Sequence, residues 1–354
     1  MRKKNLIVFF TLIFFLVATS KVSASEFDFV ESSLSQDEIS SLEEKGYTLE
    51  MLEMYLENDY DFERLMEMEV VGIDETYAKY TETVPFGYED IEDIDDVEDL
   101  EEIDFVKNVD VDKFNDNITD FDNTELLINT LLNEDIIEFE DSQIFGNYEE
   151  ISYEDYIKGI EEEEIENPED TFTIFASHST STSYKVMKTY LTKINKDKYQ
   201  ITNELKWSKM PKNRKNDVIA VGINSQTSPI PGTESAKQTW STLSGASKGS
   251  ATYTKNSPKW ERSSGGYGLW FKLKSNRTAK APWRNLKMYM EYQIRPNNSN
   301  VTYIDAYGDF RHQETVKNIE PSFSIGAGGV GISFAASQSS KFTKHPNTHV
   351  QVKR

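Results

Sequence analysis

The chain contains no cysteine among its 354 residues, which excludes a disulfide framework and any metal site built on thiolates. It also lacks the phosphate-binding signatures of the Walker and dinucleotide-binding kinds, and no strand–helix–strand rhythm runs along it. Beyond the N-terminal segment, no apolar stretch approaches the roughly 20 residues of a membrane-spanning helix. A Rossmann-type fold is therefore not expected, and stability must come from an ordinary hydrophobic core.

The N-terminus has the three parts of a secretory signal peptide. Basic residues at positions 2–4 precede an apolar run from Leu6 to Ala18, which is too short to favour a membrane span. Val22 and Ala24 occupy positions −3 and −1 of a cleavage site after Ala24. We therefore expect residues 1–24 to be removed and the protein to be secreted, either extracellular or associated with the cell wall. The alternative is an uncleaved N-terminal anchor.

Basic residues are scarce in the first half of the chain and acidic residues are scarce in the second. Residues 25–170 hold 51 acidic and 6 basic side chains, whereas residues 171–354 hold 10 acidic and 28 basic ones, so the net charge of −23 conceals two opposite halves. The basic half should attract an anionic cell-wall polymer, an anionic membrane surface, or the acidic half of the same chain. No motif supports a specific nucleic-acid partner.

The most acidic stretch, EDIEDIDDVEDLEEID at residues 89–104, places an aliphatic residue at every third position. That spacing puts the aliphatic side chains on one face of neither an α-helix nor a β-strand. Acidic blocks of this length repel themselves and stay solvated. We expect residues 86–176 to form a weakly ordered acidic linker or pro-region that docks on a basic, partly apolar surface. Within it, residues 123–133 have the pattern of a short helix.

The regions on either side of the acidic segment predict an α+β multidomain protein. Residues 25–85 form a small helical unit, with a capping box at Ser35 and Glu38 and a C-cap glycine at Gly46. Residues 177–354 contain repeated period-2 segments separated by Gly, Pro, Asn and Ser, which predicts an antiparallel β-sandwich. SHSTSTS, residues 177–183, is a polar linker or a strand entry, and a candidate proteolysis site.

Several short motifs suggest chemistry, but their surroundings argue against it. Gly245–Gly249 matches G-x-S-x-G without the strand–turn–helix that a nucleophile elbow needs. The spacing of His345 and His349 suits a metal only on a helix, which Pro346 opposes. DVDKFNDNITDFD, residues 110–122, fails the EF-hand template. The sequence therefore predicts no cofactor, no metal site and no enzymatic activity.

Basic residues interleaved with tryptophan form two patches in the second half. Such patches suit an anionic surface, because the charges steer the ligand and the indole inserts or stacks. The alternative is a solvated, lysine-rich sheet. The candidate binding residues are Lys206, Trp207, Lys209, Lys212, Arg214 and Lys215 in the first patch, and Lys272, Lys274, Arg277, Trp283 and Arg284 in the second.

About half of the chain, residues 182–350, resembles an uncharacterised family of secreted proteins from bacilli and related Firmicutes. The stretches that carry the resemblance are KWSKMPKNRKNDVIAVGIN, SPIPGTESAKQTW, GGYGLWFKL, IDAYGDFRHQ and SFSIGAGGVGISF. The resemblance implies secretion and one shared β-domain. It supplies no catalytic residues, and it does not extend to the acidic segment.

These observations favour a secreted, non-enzymatic protein whose basic β-sandwich binds an anionic surface. The acidic N-terminal region is expected to fold over the basic face and compete with the external ligand. One alternative is a membrane-active toxin or bacteriocin-like effector whose β-domain inserts once the acidic segment leaves. A second alternative is a hydrolase of extracellular polymers that uses two carboxylates; no spacing singles out such a pair.

Overall fold

The computed structural model describes most of the chain outside the signal segment and the centre of the acidic region. The described residues are 24–85, 145–165 and 178–354, except for positions 210, 212, 243–247, 275–282, 316–318 and 327–330. The segments outside them include the cleavage-site region before Ala24, most of the acidic linker with its 110–122 and 123–133 stretches, and the candidate nucleophile Ser247.

Four short helices open the described chain: α1 Ala24–Ser33, α2 Gln36–Glu43, α3 Leu49–Glu57 and α4 Phe62–Met66. The predicted capping box is confirmed, because the Ser35 hydroxyl accepts from the backbone N–H of Glu38 and the Glu38 carboxylate accepts from that of Ser35. Gly46 follows α2 with φ of 88°, a left-handed conformation that favours glycine. The local sequence thus fixes where α2 begins and ends.

One antiparallel sheet, called the long sheet here, contains eight strands. These are β1 Glu69–Pro85, β2 Phe145–Ile151, β3 His178–Asn195, β4 Lys198–Lys209, β6 Thr227–Pro229, β7 Ser235–Thr242, β8 Lys248–Thr254 and β11 Trp283–Pro296. The order is β2-β1-β3-β4-β11-β7-β8, with β6 on β11. The predicted hairpin turn at 195–198 joins β3 to β4.

A second antiparallel sheet, the short sheet, packs against the long one. Its strands are β5 Asn216–Ile223, β9 Trp260–Ser263, β10 Gly266–Lys272, β12 Tyr303–Gln313, β15 Phe342–Lys344 and β16 Thr348–Lys353. Their order is β15-β12-β5-β10-β9, with β16 on β12. A two-stranded hairpin, β13 Phe323–Gly326 and β14 Gly331–Phe334, packs its apolar side chains on the outer face of the short sheet.

The main core lies between the two sheets, as the period-2 pattern predicts. On β4 the alternate residues Ile201, Leu205 and Trp207 face this core. The outer face of the long sheet is covered by α1–α4, whose apolar side chains pack with Tyr190 and Tyr289. A fifth helix, α5 Tyr153–Ile165, packs on Tyr77 and Val186. The result is an antiparallel β-sandwich with an N-terminal helical layer.

Strand pairing differs from the predicted division into a helical unit at 25–85 and a β-domain at 177–354. β1 pairs with β3 from Glu69 to Pro85, so the helical segment continues directly into the long sheet. Residues 178–183 form the start of β3 and not a linker, because they pair with β1. Gly72 is needed where β1 passes β16, since a Cβ there would lie 2.7 Å from Val350 and Val352. The predicted strand entry is correct, and the predicted linker is not.

Candidate functional site

The outer face of the long sheet carries a group of four lysines, called the lysine face here. Lys188, Lys206, Lys287 and Lys237 come from β3, β4, β11 and β7, which are adjacent strands. Lys206 lies directly opposite Lys287 in the strand register. Like charges directly opposite on a sheet are destabilising, so this face requires a negative partner.

Helix α3 supplies that partner from the acidic half of the chain. Glu50 lies 2.6 Å from the Lys188 ammonium, and Glu75 of β1 lies 3.2 Å from it. Glu53 and Glu57 lie 3.1 and 3.4 Å from the Lys287 ammonium. The side chains of Lys188 and Lys287 are only 12% and 13% exposed. An external anion therefore cannot reach these two lysines while α3 is in place.

The sequence of α3 explains why it docks in this orientation. Glu50, Glu53 and Glu57 recur at steps of three and four, which puts their carboxylates on one side of a helix. Leu52 and Tyr55 are fully buried, and the Tyr55 hydroxyl contacts two threonine hydroxyls of the sheet at 3.2 and 3.3 Å. Apolar burial and charge pairing therefore hold α3 on the lysine face together.

The ionisation of these groups reflects the pairing. Burial alone would raise the pKa of Glu50, but the ammonium groups of Lys188, Lys206 and Lys287 overcome it and hold that pKa below its usual range. The glutamates in turn raise the pKa of Lys188 and Lys287, although burial opposes them. Glu50, Lys188 and Lys287 are thus ionised at neutral pH.

One carboxylate within this interface is not matched to a single lysine. Glu204 projects from β4 among the lysines and accepts a hydrogen bond from the Tyr190 hydroxyl at 3.2 Å. Burial and the nearby Glu50 raise the pKa of Glu204 to about 7, against the lysine charges. The sheet beneath α3 therefore contains a carboxyl group that titrates near neutral pH.

Glu204→Gln should change how stability depends on pH. In wild type the folded protein holds the Glu204 proton up to a pKa of about 7, but the unfolded chain releases it near 4.5, so raising the pH destabilises the fold across this window. Relative to wild type, the free energy of unfolding of the variant should therefore rise by roughly 3 kcal/mol between pH 5 and pH 8. Urea unfolding of both proteins at the two pH values measures this difference. The difference is needed because burial lowers the pKa of His345 to about 3, which makes stability change with pH in the opposite direction in both proteins. An equal difference at both pH values would contradict the assignment.

The second site-like feature lies at one end of the sandwich and is called the tryptophan end. Half-buried Trp240 and Trp283 meet edge to face with ring centroids 6.3 Å apart, and the Lys274 ammonium lies 5.1 Å from the Trp240 ring. Arg284 pairs in register with Lys209, which brings the end of β4 beside the start of β11. The fold thus joins parts of both predicted patches at one edge.

The predicted binding residues separate into distinct environments. Lys209, Arg214, Lys272, Lys274 and Trp283 are partly exposed, and Lys206 belongs to the covered lysine face. Trp207 and Lys215 are 1% and 3% exposed. Trp207 therefore belongs to the core and does not present an indole to a surface, because the alternation of side chains along β4 points it inward.

Three predicted binding side chains lie outside the described parts of the chain: those of Lys212, Arg277 and Arg284. Sequence reasoning missed Trp240, Lys188 and Lys237, which only strand pairing brings into place.

Two tryptophan substitutions should separate the core role from the surface role. Trp207→Ala should lower the free energy of unfolding by about 3–5 kcal/mol, because it empties a buried position. Trp283→Ala should cost less stability but should lower the salt concentration that elutes the protein from immobilised heparin. Thermal unfolding and heparin chromatography of both variants check this. Reduced retention for folded Trp207→Ala with wild-type retention for Trp283→Ala would reverse the assignment.

A separate buried cluster surrounds Lys185. Its side chain is fully buried, and its side-chain nitrogen has no hydrogen-bond partner among the described residues. That nitrogen lies 2.8 Å from the Trp207 ring centroid and 4.2 Å from that of Tyr148. Burial lowers the pKa of Lys185 well below its usual range, against the charges of Asp217, Glu82 and Glu314. The cluster lies in the interior.

The ionisable side chains of β12 have structural partners. Asp309 and Arg311 form an ion pair at 2.9 Å on one face of β12, whereas His312 faces the opposite side and contacts Asp217 at 2.9 Å. Residues 342–344 and 348–353 are strands, so no helix brings His345 and His349 together. Across the described residues, no group of three or more His, Asp or Glu side chains is arranged to hold a metal ion.

In the same part of the chain, none of the helices has the length and apolarity to cross a membrane.

No protein-family model and no curated protein sequence matches this chain. Among solved structures it is similar to the collagen-binding domain of a Staphylococcus aureus adhesin, at 8% identity and a TM-score of 0.22, over 43% of this chain and 87% of that domain. It is also similar to the pilus backbone RrgB of Streptococcus pneumoniae, at 11% identity and a TM-score of 0.23, over 45% of this chain and 43% of that chain. A third similar structure is AvmM, which catalyses macrocyclization in alchivemycin A biosynthesis, at 6% identity and a TM-score of 0.21, over 44% and 80% of the two chains. Binding, structural and catalytic proteins share this likeness, so it carries no argument about ligand or activity.

Proposed function

We propose that this is a secreted, non-enzymatic protein that binds an anionic cell-wall polymer through its basic β-sandwich. The acidic N-terminal region masks part of the binding surface. The observation that carries the proposal is the docking of α3, whose three glutamates cover the lysine face of the long sheet.

The tryptophan end is the surface open to the first contact. There Lys274 lies beside Trp240, and Lys209 lies opposite Arg284, the residue after Trp283; both lysines are partly exposed. A polymer anchored at this end can extend along the sheet and compete with α3 for the lysine face. Each exposed ion pair contributes only about 0–1 kcal/mol. The repeated charges of a polymer, however, act at high effective concentration once one of them is bound.

The mask works by displacement and needs no cleavage at residues 177–183. A cut there would fall within β3, where it pairs with β1. β1 ends at Pro85 and β2 begins at Phe145, so residues 86–144 connect two paired strands that lie on the β3 side of the lysine face. We propose that it adds to the anionic cover and that salt weakens the cover, because exposed charges are screened beyond about 8–10 Å at physiological ionic strength.

Affinity chromatography of the full mature chain tests this function. At low salt we expect the protein to be retained on immobilised heparin or teichoic acid in spite of its net negative charge, and to elute with added sodium chloride. A neutral polysaccharide column is the control and should not retain it. Passage through both polyanion columns at low salt without delay would remove the proposed function.

A further inference from the structure

A small basic pocket lies at the opposite end of the long sheet from the tryptophan end. It forms where the β3–β4 turn meets the end of β16, and it has a volume of about 190 Å³. That is below the roughly 300–1,000 Å³ of pockets for drug-sized molecules, so it suits a single small group. The lining residues are Val71, Lys193, Lys196, Tyr199, Val352, Lys353 and Arg354.

The basic side chains of this pocket differ in their partners. Arg354 is held in place: its guanidinium donates to Asp197 at 2.7 Å, to the Asn298 carbonyl at 3.1 Å and to the Lys196 carbonyl at 3.2 Å. Lys193 lies opposite Glu69 in the register of β3 and β1, and Lys353 is exposed near the end of β16. Among the described residues neither lysine forms an ion pair. The pocket therefore combines a fixed guanidinium with two ammonium groups that a ligand can approach.

The remaining wall is apolar. Val71 of β1 and Val352 of β16 approach each other at the corner where the two sheets meet, and the Tyr199 side chain is 2% exposed beneath them. Such a wall accommodates the carbon face of a polyol or a sugar, whereas the basic rim accommodates a compact anion. Ammonium and guanidinium groups around one point are the usual partners of phosphate oxygens.

We propose that this pocket binds the phosphate group of a polyol or sugar phosphate. The inference rests on the proposed function, because it gives one repeat unit of an anionic polymer a defined seat at the end of the sheet. The pocket lies away from α3, so the seat is open whether or not α3 covers the lysine face.

Titration of the full mature chain with glycerol 3-phosphate, followed by NMR chemical shifts or calorimetry, tests the proposal. We expect saturable binding that Lys193→Ala/Lys353→Ala weakens at least fivefold. Lys158→Ala/Lys344→Ala removes two exposed lysines elsewhere and should leave the affinity unchanged. Inorganic phosphate should bind more weakly than glycerol 3-phosphate, because it lacks the carbon face. No saturable binding, or equal affinity in the two double variants, would overturn the proposal.

The failure of this proposal is distinguishable from failure of the proposed function. If the pocket variant loses glycerol 3-phosphate but keeps its heparin retention, the seat is confirmed and the heparin chain is held by the tryptophan end. If wild type is retained on polyanion columns but shows no saturable binding of glycerol 3-phosphate, the proposed function stands and the seat is rejected.

Discussion

The variant Glu50→Gln/Glu53→Gln/Glu57→Gln is expected to elute from immobilised heparin at a clearly higher salt concentration than wild type. The three substitutions remove the carboxylates that pair with Lys188 and Lys287, and they keep the shape of α3. The lysine face then repels itself and releases the helix more often, which exposes its ammonium groups to the polyanion. The free energy of unfolding should fall by roughly 2–4 kcal/mol, because Lys287 loses Glu53 and Glu57, and Lys188 loses Glu50 although it keeps Glu75.

A matched control separates this effect from the change in net charge. Glu43→Gln/Glu44→Gln/Glu67→Gln also removes three negative charges from the helical segment, but these glutamates are exposed and form no ion pair with the lysine face. Its elution should shift by less than half as much, and its stability should stay close to wild type. Equal shifts in the two variants would show that only total charge matters and would contradict masking by α3.

Lys185→Met is expected to stabilise the protein by about 1–4 kcal/mol at pH 7. Methionine has nearly the same length as the lysine stem and suits the aromatic surroundings, whereas the lysine buries a nitrogen that has no hydrogen-bond partner in the described parts of the chain. Burial lowers the pKa of Lys185, so burying this side chain costs free energy at neutral pH. The cost decreases as the pH rises toward the pKa that Lys185 has in the unfolded chain. The gain of the variant over wild type should therefore shrink between pH 7 and pH 9.5.

Lys185→Arg provides the matched test in the other direction. Arginine keeps its charge at every accessible pH and is larger, so it should destabilise the protein at all pH values. Urea unfolding of wild type and both variants at pH 7 and pH 9.5 gives the comparison. A loss of stability in Lys185→Met would show that the ammonium is required as the partner of Asp217, Glu82 and Glu314.

The local features of the fold could be predicted from the sequence, because they depend on neighbouring residues. The capping box at Ser35, the turn at 195–198 and the alternation on β4 all follow from short-range patterns, and each is present. The place of β1 could not be predicted in this way. Its sequence EVVGIDETYAKYTETVP mixes charged and apolar residues, and its pairing with β3 joins positions more than 90 residues apart.

The candidate site was predictable in kind but not in position. The charge split indicates that acids of the first half meet bases of the second, and α3 does contact the lysine face. Sequence spacing placed Trp207 on a surface because it lies among lysines, but the inward face of β4 carries it into the core. Lys188 and Lys237 carry no local signal, since their role arises only when β3 and β7 join the same sheet.

Hydrogen–deuterium exchange of the full mature chain, with and without saturating heparin, tests most directly whether α3 and an external anion compete for one surface. The account predicts faster amide exchange in α3 when heparin is bound, because the helix is displaced, and unchanged exchange in the central strand β5. Bound heparin that leaves the exchange of α3 unchanged, or slows it, would contradict the account.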